Sequence, residues 1–239
     1  LDLEMPRMDG FKFLRLLMAR RPTPVIVVSG YSEKENVFRA LELGAIDFVA
    51  KPTRTITADL PLIRNELAEK VALIRHLRPA SQQKRTSLIP RTIRKPPTAE
   101  TRRADRIIVI GASTGGPTAL VRLFRRLPPN LPASIVVAQH MPPRFTRTFA
   151  GRLDGIAQIR VAEAQQAHPL RTNEAWVCPG GQSVEIGADA TVVVRQSDPS
   201  DRYVPSVDRL FSTAARKFGR RCLAIVLTVQ SMNLIGDWL

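Results

Sequence analysis

Two groups of residues in this 239-residue chain have types and spacings that could do chemistry. The first is Gly111-Ala-Ser113-Thr-Gly115, a G-x-S-x-G pattern. Glycines flanking a serine allow a sharp turn that lifts the hydroxyl above a sheet edge, and a helix starting just beyond offers N–H groups and a positive dipole end to a developing oxyanion. The competing reading is a glycine-rich anion loop, but of neither the dinucleotide nor the P-loop kind, since no lysine follows the glycines. A nucleophilic serine needs a base within hydrogen-bond reach. Of His76, His140 and His168, His140 directly follows an apolar run, Ser134–Ala138, whereas the other two lie in polar stretches. The second group is Asp2, Ser29 and Lys51, each at the end of an apolar run. A carboxylate, a hydroxyl and an ammonium at one edge suit transient phosphorylation: the carboxylate attacks phosphorus and the other two hold the phosphoryl oxygens. Taken singly, each also fits a strand end facing water.

The elements that must position these residues alternate between strand and helix. Phe11, Leu14 and Leu17 or Met18 recur at helical spacing, Pro24–Val28 reads as a buried strand, and Val37, Ala40, Leu41 and Leu43 mark a helix ending at Gly44. Ile46–Val49 is a second strand, and Ile63, Leu67, Val71 and Ile74 stripe a helix. Further on, Arg106–Ile110 reads as a buried strand leading into the Ser113 turn, and Leu120, Leu123, Phe124 and Leu127 repeat at helical spacing before the strand that precedes His140. Cys222–Thr228 is a later strand. Such alternation predicts α/β architecture with parallel sheets, whose sites lie beyond the carboxyl ends of the strands. In a right-handed β-α-β unit the ends carrying Ser113 and His140 are neighbours.

The formal net charge is +15, from 36 Lys+Arg against 21 Asp+Glu, which first suggests an anionic partner. About half of it, net +8, lies between Arg75 and Arg106, a proline-containing stretch without apolar period or interleaved aromatics. It reads as a flexible basic linker over 79–104 between a domain at 1–78 and another at 105–239. No recognition helix is visible, so no nucleic-acid partner is expected. No apolar run is long enough for membrane insertion, and Cys178 and Cys222 are too few for a disulfide scaffold or zinc site, so a cytoplasmic setting is expected.

Asp2-Leu-Glu-Met-Pro-Arg-Met-Asp-Gly10, Val28-Ser29-Gly30 and Leu43-Gly-Ala-Ile-Asp-Phe-Val-Ala-Lys51-Pro52 closely resemble response-regulator receiver domains. That resemblance implies Asp2 as phosphoacceptor and Mg²⁺ ligand, Ser29 as switch hydroxyl, Lys51 as phosphate-sensing lysine, Phe48 as switch aromatic, a cis-proline turn at Pro52, and a histidine kinase as phosphodonor. Ile110-Gly-Ala-Ser-Thr-Gly-Gly-Pro117, Gln139-His-Met-Pro-Pro-Arg-Phe-Thr-Arg-Thr-Phe149 and Tyr203-Val-Pro-Ser-Val-Asp208 resemble the CheB family of protein-glutamate methylesterases, with the same order of receiver, linker and esterase. This implies hydrolysis of glutamate γ-methyl esters on methylated chemoreceptors, glutamine deamidation, no cofactor for the esterase, Ser113 as nucleophile, His140 as general base and Thr114 as a neighbouring active-site hydroxyl.

The chain departs from these patterns in four places. The receiver resemblance starts near the end of the third strand, so the acidic pair that completes the Mg²⁺ site in the family is absent. Residue 1 is Leu rather than Met, and the family pattern runs on beyond the point that matches Leu239, so a fragment truncated at both ends is expected, with a partial receiver and a C-terminally incomplete esterase. After Leu227-Thr228, Asn233 stands where the family carries its triad Asp, with Asp237 as a spatial substitute to consider, and the change of character after Thr228 would suit a frameshift. Ser183 stands where the family usually carries a histidine near the site. The alternative to an active esterase is therefore an impaired module that binds receptor or kinase without turnover.

Overall fold

A computed structural model describes residues 1–30, 34–51, 60–74 and 101–227, which divide into two compact units, one drawn mainly from residues before 90 and the other mainly from those up to 227.

In the first unit, helix α1 (Gly10–Arg20) is followed by strand β1 (Ile26–Ser29), helix α2 (Lys34–Glu42), strand β2 (Asp47–Ala50) and helix α3 (Leu60–Ile74). The Asp9 carboxylate accepts from the Phe11 N–H and caps α1, which buries Phe11, Leu14 and Met18 at the spacing of one helix face. The two strands pair in parallel with Ser29 opposite Ala50, so both begin and end slightly later than their apolar runs. Pro24 has no N–H to give a ladder, and the ladder rather than apolarity sets strand ends. Against β1 and β2, α3 packs Ile63, Leu67 and Ile74. Val71, expected in that stripe, is instead 49% exposed. The adjacent inward position belongs to Lys70, whose ammonium donates to the Phe48 carbonyl at 2.6 Å and lies 3.3 Å from Asp47 and 3.0 Å from Glu66.

The second unit runs β3 (Ile107–Ala112), α4 (Gly116–Phe124), β4 (Ser134–Gln139), α5 (Pro143–Ile156), β5 (Arg160–Glu163), β6 (His168–Pro169), β7 (Glu174–Val177), β8 (Gln182–Ile186), β9 (Thr191–Gln196), α6 (Val207–Phe218) and β10 (Cys222–Leu227). Its main sheet is parallel, in the order β10-β3-β4-β7-β5. All six residues of β4 are buried, as expected of a parallel strand covered on both faces. The α/β class with a parallel sheet is therefore as the sequence indicates. A second, antiparallel sheet, β6-β9-β8, was not anticipated. Its signal is the alternation that buries Val184 and Ile186 on one strand and Val192 and Val194 on the next.

Gly111 is not part of the turn before α4, as its place in the motif suggests, but a paired residue of β3 between Ala138 and Val226. It is glycine because Val207 of α6 approaches so closely that an added Cβ would lie 2.4 Å from Val207 Cγ1. Thr101–Ala104, placed by sequence in the linker, are held against this unit: Arg102 and Thr172 exchange hydrogen bonds, and the Ala104 N–H donates to the Leu170 carbonyl. The rest of the expected linker, together with Pro52, His76, Asn233 and Asp237, lies outside the described residues. Among the described residues, no helix is long and apolar enough to cross a membrane.

Candidate active site

The adjacent carboxyl ends of β3 and β4 carry Ser113 and His140. In register, Ala112 lies opposite Gln139, and the His140 backbone N–H donates to the Ala112 carbonyl at 3.0 Å, extending the ladder by one rung. Both side chains therefore leave the sheet at the same level. Ser113 Oγ lies 3.2 Å from His140 Nδ1. Gln139 fastens the pair from beneath, its buried amide nitrogen donating to the Ser113 carbonyl at 3.1 Å and to the His140 carbonyl at 3.0 Å. Two acceptors around that nitrogen fix which way the amide points.

The other ring nitrogen of His140, Nε2, is 3.1 Å from the Pro205 carbonyl. A carbonyl only accepts, so Nε2 must carry a hydrogen, and in the neutral ring the Nδ1 lone pair then faces the serine hydroxyl. That tautomer can take a proton from Ser113. Tyr203 stacks on the imidazole, with ring centroids 5.5 Å apart at 30°, and is 52% exposed on its outer side. The Arg202 guanidinium sits 5.3 Å from the Tyr203 ring centroid. Thr114, the next residue after Ser113, is buried, and Gly115 adopts φ 78°, the left-handed conformation that lets the chain turn sharply into α4.

His168 stacks on Trp176 at 4.5 Å, well placed for packing rather than for Ser113. Cys178 is buried close to Glu163; burial chiefly, and that carboxylate, push its thiol up to about 12, and both cysteines are free. The residues that reasoning from the sequence alone did not assign to the site are Gln139, Tyr203 and Pro205. Tyr203 and Pro205 sit in a motif whose resemblance was noted but to which no role was given.

In the first unit, Lys51 Nζ lies 2.6 Å from Asp2 Oδ2, while the Glu4 N–H donates to Asp2 Oδ1 at 3.2 Å. The hydrogen bond from Lys51 chiefly, with smaller help from backbone N–H groups, holds the Asp2 carboxyl below its usual range despite some loss of solvent. Asp2 sits beside Val28 of β1 through a parallel bridge, and the Lys51 N–H donates to the Ser29 carbonyl at 2.8 Å, so all three expected residues lie at one end of this short sheet. Ser29 itself is fully buried. A magnesium ion calls for several oxygen ligands, yet among the described residues no group of three or more acidic, histidine or cysteine side chains could hold a metal. With Asp2 engaged by an ammonium, the residues present do not fit Mg²⁺.

Comparison with known proteins places the chain in a family. The CheB methylesterase profile matches residues 108–231, just over half of the chain, and a response regulator receiver domain profile matches residues 1–59. A relative in Anaeromyxobacter dehalogenans, named protein-glutamate methylesterase/protein-glutamine glutaminase 6, is 47% identical across 95% of this chain and 64% of its own length. Similarly named proteins from Geobacter sulfurreducens and Salmonella typhimurium are 43% and 40% identical over 95% of this chain, covering 67% and 65% of theirs. The chain thus spans roughly two thirds of the length of the curated relatives it matches, and a little less than that of the first. The crystal structure of the Thermotoga maritima CheB methylesterase catalytic domain aligns with a TM-score of 0.49 at 36% identity, over 52% of this chain and 67% of that one. A receiver profile followed by an esterase profile, with relatives of the same name along nearly the whole chain, leaves one assignment: this chain belongs to the CheB methylesterase family.

Proposed function

We propose that the chain is a protein-glutamate methylesterase that hydrolyses glutamate γ-methyl esters, and deamidates glutamines, on chemoreceptors. The observation that carries the reading is the Ser113–His140 contact, with His140 in the tautomer that can accept the serine proton. Ser113 is the nucleophile and His140 the general base. As Oγ attacks the ester carbonyl, its proton passes to Nδ1, and the Oγ–C bond forms while the carbonyl becomes an oxyanion held by N–H groups of the turn that contains Thr114. When the C–O bond to methoxide breaks, Nδ1 returns the proton and methanol leaves. Water then attacks the glutamyl ester of Ser113 by the same proton relay, releasing glutamate and free serine.

The regulatory half of the reading rests on the receiver match and the cluster of Asp2, Ser29 and Lys51. In it, Asp2 accepts a phosphoryl group from a histidine kinase, and Lys51 and Ser29 hold its oxygens. The domain organisation proposed with it is receiver-type over 1–78, linker over 79–104 and esterase from 105 onward, in the cytoplasm, where chemoreceptor tails and kinase are reached.

The test is methanol release from a methylated chemoreceptor. Ser113→Ala should lower turnover by on the order of 10³-fold or more. Turnover that survives Ser113→Ala undiminished refutes the assignment, and receptor binding without turnover in the parent protein favours an impaired binding module instead.

A further inference from the structure

The imidazole of His140 is oriented by a backbone carbonyl, and a backbone carbonyl has no rotamer of its own. Its direction is set by whatever holds the segment that carries it. That segment runs from Asp198 to Ser206 between β9 and α6, and it is tied down at both ends.

At its end, Ser206 caps α6 by accepting from the Arg209 N–H, and its own N–H donates to Ser183 Oγ at 3.0 Å. Ser183 lies in β8, is fully buried, and directly follows the Gln182 that begins the strand. The peptide unit that presents the Pro205 carbonyl to His140 is the same one whose N–H, that of Ser206, is held by Ser183. Nε2 and Ser183 Oγ therefore grip the two ends of one rigid plane.

At its start, Arg209 binds Asp201 through Nε at 2.8 and 2.9 Å and reaches Asp198 at 3.4 Å. The same guanidinium lies 3.6 Å from Glu185, two residues beyond Ser183 and so on the same face of β8. One fork thus joins the segment, α6 and β8. Between the two anchors stand Tyr203, stacked on His140, and Pro205.

We propose that Ser183 and Arg209 are positioning residues for the reaction at Ser113: by holding residues 198–206 they keep the Pro205 carbonyl on His140 Nε2, and so keep Nδ1 available to the serine. Neither touches the reacting atoms. The inference rests on the esterase reading for its kinetic consequence but not for its structural one.

The experiment compares Ser183→Ala, Arg209→Met and Arg209→Lys with the parent chain, with Ser212→Ala on the exposed side of α6 as control. The readouts are kcat and KM on a peptide carrying glutamate γ-methyl ester, and the ring ¹⁵N signals of His140, identified by their loss in His140→Gln. Ser183→Ala and Arg209→Met should each lower kcat about tenfold with KM within about twofold, because binding is untouched while the base is misaligned. Arg209→Lys should recover part of the loss, and the ring signals should move from a single Nε2–H tautomer toward a mixture of both. Folded variants with unchanged kcat and unchanged ring signals overturn the proposal. Should Ser183→Ala fail to fold, the two Arg209 variants decide the matter alone. If the parent releases no methanol, yet the ring signals still shift in the variants, the positioning stands and the esterase reading falls.

Discussion

The Pro205 carbonyl and Nε2 of His140 lie 3.1 Å apart, although the two residues are separated by 65 positions in the chain. In a serine hydrolase triad the third member is an acid that holds the imidazole tautomer and stabilises the imidazolium. A neutral carbonyl does the first of these tasks and does the second only weakly. The arrangement supports proton abstraction from Ser113 by His140. Replacing His140 with Gln should lower ester hydrolysis by about 10²–10⁴-fold, the range of a general base, while leaving receptor binding intact. Stopped-assay methanol release and receptor pull-down measure the two quantities separately.

Gly111 and Val207 make a second test, of packing rather than chemistry. The Gly111→Ala methyl would fall 2.4 Å from Val207 Cγ1, and a β-branched side chain on a helix has little freedom to move aside. The single substitution should destabilise the second unit by about 1–3 kcal/mol and reduce turnover, since β3 leads directly to Ser113. Gly111→Ala combined with Val207→Ala should regain much of the stability. Thermal melts of the four members of this cycle give the coupling, and additive losses would show that the contact is not the cause.

In the first unit, the hydrogen bond from Lys51 holds the Asp2 carboxyl below its ordinary value. A carboxyl depressed in the folded state contributes stability that is fully present above its unfolded value and is lost as pH falls through the folded one. Lys51→Met should raise the Asp2 midpoint toward the ordinary value of 3.8, as read from the carboxyl ¹³C shift across an acid titration. The pair is partly exposed, so the accompanying change in overall stability should be small.

Lys70 presents the opposite sign. Burial by itself pushes its ammonium down, but the Asp47 and Glu66 carboxylates more than offset this and hold it above the ordinary lysine value of 10.5. Its contribution to stability is then complete below that value and is lost as pH rises through the folded one. Replacing Asp47 with Ala strips the buried ammonium of its nearest buried partner, and should cost about 3–5 kcal/mol at neutral pH. Denaturant melts should show a loss from Lys70→Met as well, because Met fills the stem's space but leaves the buried Asp47 carboxyl without its ammonium partner.

Much of this architecture was readable from local pattern. Strand–helix alternation, a serine between glycines and a histidine directly after the next apolar run together point to an α/β sheet with Ser113 and His140 at neighbouring strand ends, because chain direction and parallel pairing follow from order alone. The same logic places Asp2, Ser29 and Lys51 at one end of the first sheet. Periodicity was a poorer guide at the margin of a helix face: Val71 has the right spacing but is exposed, since the neighbouring inward position is taken by the buried ion pair of Lys70. Gly111 read as a turn residue because a glycine is locally a breaker, whereas its cause is the side chain of Val207, far along the chain.

The amino-acid sequence by itself determined the family, the fold class and which residue types stand at the strand ends, for these depend on short-range spacing and on the order of elements. Only the tertiary structure decided that Nδ1 rather than Nε2 faces the serine, that the Pro205 carbonyl lies on the other nitrogen, and that Ser183 accepts from the Ser206 N–H while Arg209 binds Asp201. Those facts turn on the direction of single lone pairs and N–H bonds brought together from distant segments, and hydrogen-bond partners chosen across that much chain leave no period, spacing or composition behind to be read.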